Sequence, residues 1–128
     1  GDQRQFSSAK GNLSWPVKGK LLNPADNQWS GVTISSDEGN PVKAIFPGRV
    51  IFADWFRGQG LLLIVDHGEG YWSLYGHNQS LLKDEGDTVI AGEPIATVGN
   101  SGGQSKSALY FEIRHNGTPS DPKRWCKS

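Results

Sequence analysis

Residues 60–77 read Gly60-Leu61-Leu62-Leu63-Ile64-Val65-Asp66-His67-Gly68-Glu69-Gly70-Tyr71-Trp72-Ser73-Leu74-Tyr75-Gly76-His77. The run Leu61 to Val65 is apolar on both faces of an extended chain. That predicts a central strand covered on both sides. Asp66 to Gly70 then breaks the run with residues that favour turns. Tyr71 to His77 resumes as a second strand, rich in aromatic side chains.

The same rhythm extends outward in both directions. Pro47-Gly48, Arg57 to Gly60, Glu85-Gly86-Asp87, Ala91-Gly92-Glu93 and Asn116-Gly117 read as turns. Between them, Val42 to Phe46, Arg49 to Trp55, Thr88 to Ile90, Pro94 to Gly99 and Ala108 to His115 read as strands. No segment sustains a 3.6-residue period, and Asn78 to Leu82 admits one helical turn at most. Turn signals every ~8–12 residues predict an all-β sandwich or barrel. Residues 1–14 are polar and read as a flexible linker, so that Trp15-Pro16-Val17 begins the domain proper, 15–128.

Composition narrows the function classes. The 128 residues suit one domain, and 5 Trp, 5 Phe and 3 Tyr supply large side chains to bury. Thirteen basic residues balance 13 acidic ones, so no charge excess points to nucleic acid or a membrane surface. Leu61 to Val65, the longest apolar run, is far too short to cross a bilayer. Gly1 to Lys10 lacks the apolar core of a signal peptide, which suggests a segment cut from a longer protein. The single cysteine, Cys126, makes neither an internal disulfide nor a multi-cysteine zinc site.

Several segments, in order, resemble the LytM or lysostaphin-type metallopeptidase domain. They are Gly39-Asn40-Pro41-Val42-Lys43-Ala44-Ile45 followed by Gly48-Arg49-Val50, then Gly60 to Gly70 with Ser73-Leu74-Tyr75-Gly76-His77. Gly86 to Gly102, Leu109 to Arg114, Asp121-Pro122 and Trp125 follow. The resemblance covers roughly residues 15–126. It implies a Gly-rich, mostly antiparallel two-sheet β fold with a groove across one sheet.

In active members of that family the groove holds one zinc ion. Its ligands come from a His-x-x-x-Asp segment and from the second His of His-x-His. Such a site needs three nitrogen or carboxylate ligands, with a fourth position for water. The bound water then becomes acidic enough to supply hydroxide near neutral pH. Alignment on Gly31 puts Trp29 and Thr33 at the His and Asp positions. Ala108 and Tyr110 stand at His-x-His. Only His77 survives of the two helper histidines. His67 and His115 lack ligand spacing. The resemblance therefore implies no metal, no cofactor and no catalysis.

Within the family the resemblance is to the EnvC-like amidase activators of Gram-negative cell division, carried by Val50 to Trp55, Ser73 to Ser80, Ser101 to Gln104 and Leu109 to Arg114. It implies a periplasmic, septal protein that binds zinc N-acetylmuramoyl-L-alanine amidases and relieves their autoinhibition. An upstream coiled coil outside this chain would engage the FtsEX complex. Peptidoglycan is a further partner to consider, and nucleic acid is not. The expected partner groove is lined by Trp29, Ser30, Thr33, Gln59, Leu62, Tyr75, His77 and Tyr110, with Arg114 extending it along the same strand face. Glu112 reads as a supporting residue rather than a chemical one. Two other readings stay open: a residual peptidoglycan endopeptidase and a passive peptidoglycan-binding module.

Overall fold

A computed structural model describes residues 5–22 and 31–128. Its strands are β1 (Lys20–Leu22), β2 (Val32–Ser35), β3 (Pro41–Lys43), β4 (Gly48–Phe56), β5 (Gly60–Asp66), β6 (Tyr71–Asn78), β7 (Ser80–Leu81), β8 (Thr88–Val89), β9 (Pro94–Thr97), β10 (Ala108–His115) and β11 (Thr118–Ser120). One short helix, α1 (Pro122–Trp125), closes the chain. Asp121 caps it by accepting a hydrogen bond from the Lys123 amide, and Pro122 takes the first position, where a missing N–H costs nothing.

An eight-stranded sheet runs β1-β2-β10-β6-β5-β4-β8, with β11 also paired to β10, and a second sheet runs β3-β9-β7. All strand pairings between them are antiparallel. The expected all-β, two-sheet fold is the observed one. Leu61 to Val65 lies centrally, between β4 and β6. Leu63 and Val65 enter the main core, while Leu62 is buried but stands outside that cluster.

Three local expectations need correction. Asn78 to Leu82 makes no helical turn; its amides go to β9 instead, Gln79 N to Thr97 O and Leu82 N to Ile95 O, both at 2.9 Å, and Ser80 Oγ and Thr97 Oγ1 add a side-chain hydrogen bond at 2.6 Å. The strand expected over Val42 to Phe46 stops at Lys43, although Ala44, Ile45 and Phe46 are still buried. The described part of the expected linker is packed, not loose. Phe6 opens a 3-10 turn, Phe6–Ala9, and is fully buried. Leu13 forms a bridge with Cys126, tying this segment to the chain end.

Phe6 explains the tethering. Its ring stacks on His67 at 4.8 Å and packs on Tyr71 at 5.0 Å, Trp125 at 4.7 Å and Phe46 edge-on at 5.3 Å. Removing such a ring typically costs about 3–5 kcal/mol. His67 beneath it is held by Pro47 O at Nδ1, 2.9 Å, and by Ser73 Oγ at Nε2, 2.7 Å. Ser73 Oγ also lies within hydrogen-bond distance of Tyr75 Oη, at 2.8 Å.

Burial pulls the His67 imidazole down from its usual value to about 4, against the smaller upward pull of the Pro47 carbonyl and Asp66. The unfolded chain takes up this proton near 6.5, whereas the folded chain resists until about 4. His67 thus adds stability that is fully present above pH 6.5 and lost as pH falls towards 4. Thermal melts between pH 7.5 and 4.5 should show the midpoint falling. In His67→Gln, which cannot titrate, the fall should be shallower.

Candidate functional site

The two faces of β10 divide core from groove. Leu109, Phe111 and Ile113 are fully buried in the core. Alternation sends Ala108, Tyr110, Glu112 and Arg114 to the other face. Cross-strand register sets Thr33 of β2 on one side of Tyr110 and Gly76 of β6 on the other. Residues paired in this way share a sheet face. Leu74, opposite Glu112, and Leu62 of β5 are buried without joining the main core, and they floor this outer face.

Gly76 is a glycine for a spatial reason. A Cβ there would lie 2.6 Å from Gln59 Oε1 and 3.6 Å from the Tyr110 ring. Gln59 therefore folds down over the sheet beside Tyr110, and its Oε1 is buried without a hydrogen-bond donor. The next residue, His77, has φ +62°, a left-handed conformation uncommon outside glycine. Two contacts hold it there. Its amide donates to Gln59 O at 2.7 Å, and its Nδ1 donates to Ser101 O at 2.6 Å. The His77 ring lies edge-on to Tyr110, 6.4 Å between centroids. Ser101 locks the loop by accepting from the Leu61 amide and donating to Asn78 O.

A short polar chain runs along β10. Tyr110 Oη donates to Glu112 Oε2 at 2.6 Å, and Arg114 Nε donates to Glu112 Oε1 at 2.7 Å. Glu112 is only 2% exposed, and these two donors satisfy both of its carboxyl oxygens, as a buried polar group requires. Arg114 is half-buried and keeps its charge near the groove edge.

The structure thus brings together Thr33, Gln59, His77, Tyr110 and Arg114, with Ala108 and Leu62 on the same face. Tyr75 does not belong with them. It is fully buried, packs on Phe111 at 5.5 Å, and its hydroxyl accepts from the Ile45 amide at 3.3 Å. Its expected place in the groove is corrected: Tyr75 faces the core. Trp29 and Ser30 lie outside the described residues. The alternation of β10 already placed Glu112 beside Tyr110, but its role as the shared acceptor needed three-dimensional contacts. Gly76 and Ser101 stand within the stretches that carry the resemblance, but the linear pattern does not disclose their contacts with Gln59 and His77.

Could these residues hold the zinc ion of active LytM domains? Thr33 offers only a neutral hydroxyl, Ala108 offers nothing, and the Tyr110 hydroxyl already donates to Glu112. Both Glu112 oxygens are engaged, and His77 would bring a single nitrogen. Among the described residues no group of three His, Cys, Asp or Glu side chains is placed to share a metal. This donor set does not fit a catalytic zinc, which needs three strong ligands.

A model of Peptidase family M23 matches residues 27–122. The murein hydrolase activator EnvC of Escherichia coli K12 is 49% identical over 126 residues, covering 94% of this chain and 30% of EnvC. The murein hydrolase activator NlpD of the same organism is 36% identical over 115 residues, covering 87% of this chain and 30% of NlpD. The catalytic domain of lysostaphin from Staphylococcus simulans superposes with a TM-score of 0.70 at 28% identity, covering 88% of this chain and 87% of that domain. The chain spans about 30% of the length of the two activators it matches.

Glu112→Gln keeps the shape of the carboxylate and removes its charge. Urea unfolding should register a loss of roughly 1.5–3 kcal/mol, the range for hydrogen bonds to a charged group. Combined with Arg114→Ala in a double-mutant cycle, the two losses should be less than additive.

Proposed function

The chain belongs to peptidase family M23, and from that premise we propose that it is a non-catalytic member that activates zinc N-acetylmuramoyl-L-alanine amidases by docking them in the groove around Tyr110. The observation that carries this reading is that Thr33, Ala108 and Tyr110, the residues at the positions where the family resemblance expects ligands, offer no strong metal donor. The Tyr110 hydroxyl is committed to Glu112. Without a metal, no group here would lower a water pKa or polarise a scissile carbonyl. Similarity to two murein hydrolase activators supports a regulatory role over a hydrolytic one.

The groove suits protein contact. Tyr110 and His77 present aromatic surface above a floor of Leu62 and Leu74, and Arg114 offers a charge at the edge. Tyrosine and arginine are enriched where interfaces concentrate binding energy. Activation is then a population shift. An amidase that alternates between closed and open states is drawn to the open one if only that form docks. Under this reading the chain works in the periplasm at the division septum, and FtsEX acts through a coiled coil outside this chain. Trp29 and Ser30 would add to the docking surface, and peptidoglycan is a further ligand of the complex.

The test is dye release from labelled sacculi by an autoinhibited amidase, with and without this chain, after zinc analysis of both proteins. The chain alone should be zinc-free and inactive, and should accelerate the amidase. Tyr110→Ala should weaken that acceleration about tenfold or more, as loss of a central interface aromatic does. Chelator-sensitive release by the chain alone would support the endopeptidase reading. Sacculus binding with no effect on the amidase would support the passive module.

A further inference from the structure

Behind β2 and β10, on the core side of the sheet and away from the groove, lies a cavity of about 750 Å³. Trp15, Val17, Leu21, Ile34 and Cys126 give it apolar walls. The Trp15 ring packs edge-on to Phe111 at 6.3 Å, and its Nε1 donates to Lys127 O at 2.8 Å, so one wall is fixed from two directions. Leu21 remains 37% exposed, so the cavity leaves apolar surface in contact with water. Its size falls within the range of small-molecule sites, roughly 300–1,000 Å³.

The charge at this cavity is predominantly positive. Lys18, Lys123 and Lys127 line it, against a single acidic group among the described lining residues, the terminal carboxylate of Ser128 in this 128-residue chain. All three are exposed, and none makes an ion pair among the described residues. In a chain whose net charge is zero, this is a local concentration of positive charge beside an apolar hollow. Lysine suits such a mouth because its aliphatic stem covers apolar surface while the ammonium stays in water.

We propose that this cavity binds a single-chain anionic amphiphile: an acyl tail against Trp15, Val17, Leu21 and Ile34, with its carboxylate among Lys18, Lys123 and Lys127. Volume and concavity favour a flexible chain over a protein helix, and the three ammonium groups select the sign of the head. The site is independent of the groove and of the activator reading.

Sodium dodecanoate, titrated below its micelle concentration into the ¹⁵N-labelled 128-residue chain, provides the test. The Trp15 indole N–H and the amides of Leu21 and Ile34 should shift saturably. Dodecyltrimethylammonium, with the same tail and the opposite charge, should bind far more weakly, and acetate should give no saturable shift at Trp15. The triple variant Lys18→Glu, Lys123→Glu, Lys127→Glu changes only exposed side chains, and its spectrum reports whether it is folded. It should bind dodecanoate about tenfold more weakly, as expected for the loss of three exposed charge interactions. Equal binding of the cationic amphiphile, unchanged affinity in the folded triple variant, no saturable shift, or shifts confined to Thr33 and Tyr110 would each overturn the proposal.

Discussion

The two-faced character of β10 is the constraint on which the rest of the molecule depends. Leu109, Phe111 and Ile113 anchor the strand in the core, and that anchoring leaves Ala108, Tyr110, Glu112 and Arg114 no choice of direction. A one-residue slip would bury Glu112 and Arg114 in an apolar interior and expose three core side chains. Core packing and groove geometry are therefore one problem. The register of β10 fixes which side chains face the groove.

The buried carboxylate of Glu112 adds the second level. A lone charge at 2% exposure would be costly, and the donors that neutralise the cost are both groove residues. Tyr110 is thereby oriented by its hydroxyl and Arg114 by its Nε. In a metallopeptidase the same patch of sheet would be organised by an ion. Here a tyrosine, a glutamate and an arginine organise one another.

Much of this was legible in the sequence. The Gly-punctuated strands identified the fold, and the alternation of Ala108 to Arg114 identified the groove face. Tyr75 was misplaced because Tyr75 and His77 sit two residues apart and should share a face in a regular strand. The positive φ of His77 breaks that parity, so His77 reaches Tyr110 while Tyr75 stays in the core. No local pattern announces a histidine in that conformation; the pull of Ser101 and Gln59 creates it. Phe6 was hidden for a related reason. Its neighbours are polar, and its burial depends on rings at Phe46, His67, Tyr71 and Trp125, all distant in the chain.

The central claim is that the face carrying Tyr110 is a protein-docking surface. Chemical-shift mapping of an unlabelled amidase onto the ¹⁵N-labelled chain tests it most directly. The account predicts broadening or shifts centred on Thr33, Gly76, His77 and Tyr110, with the reverse face at Ile34 and Trp15 little changed. Amidase binding that perturbs other surfaces and leaves these four residues untouched would contradict it.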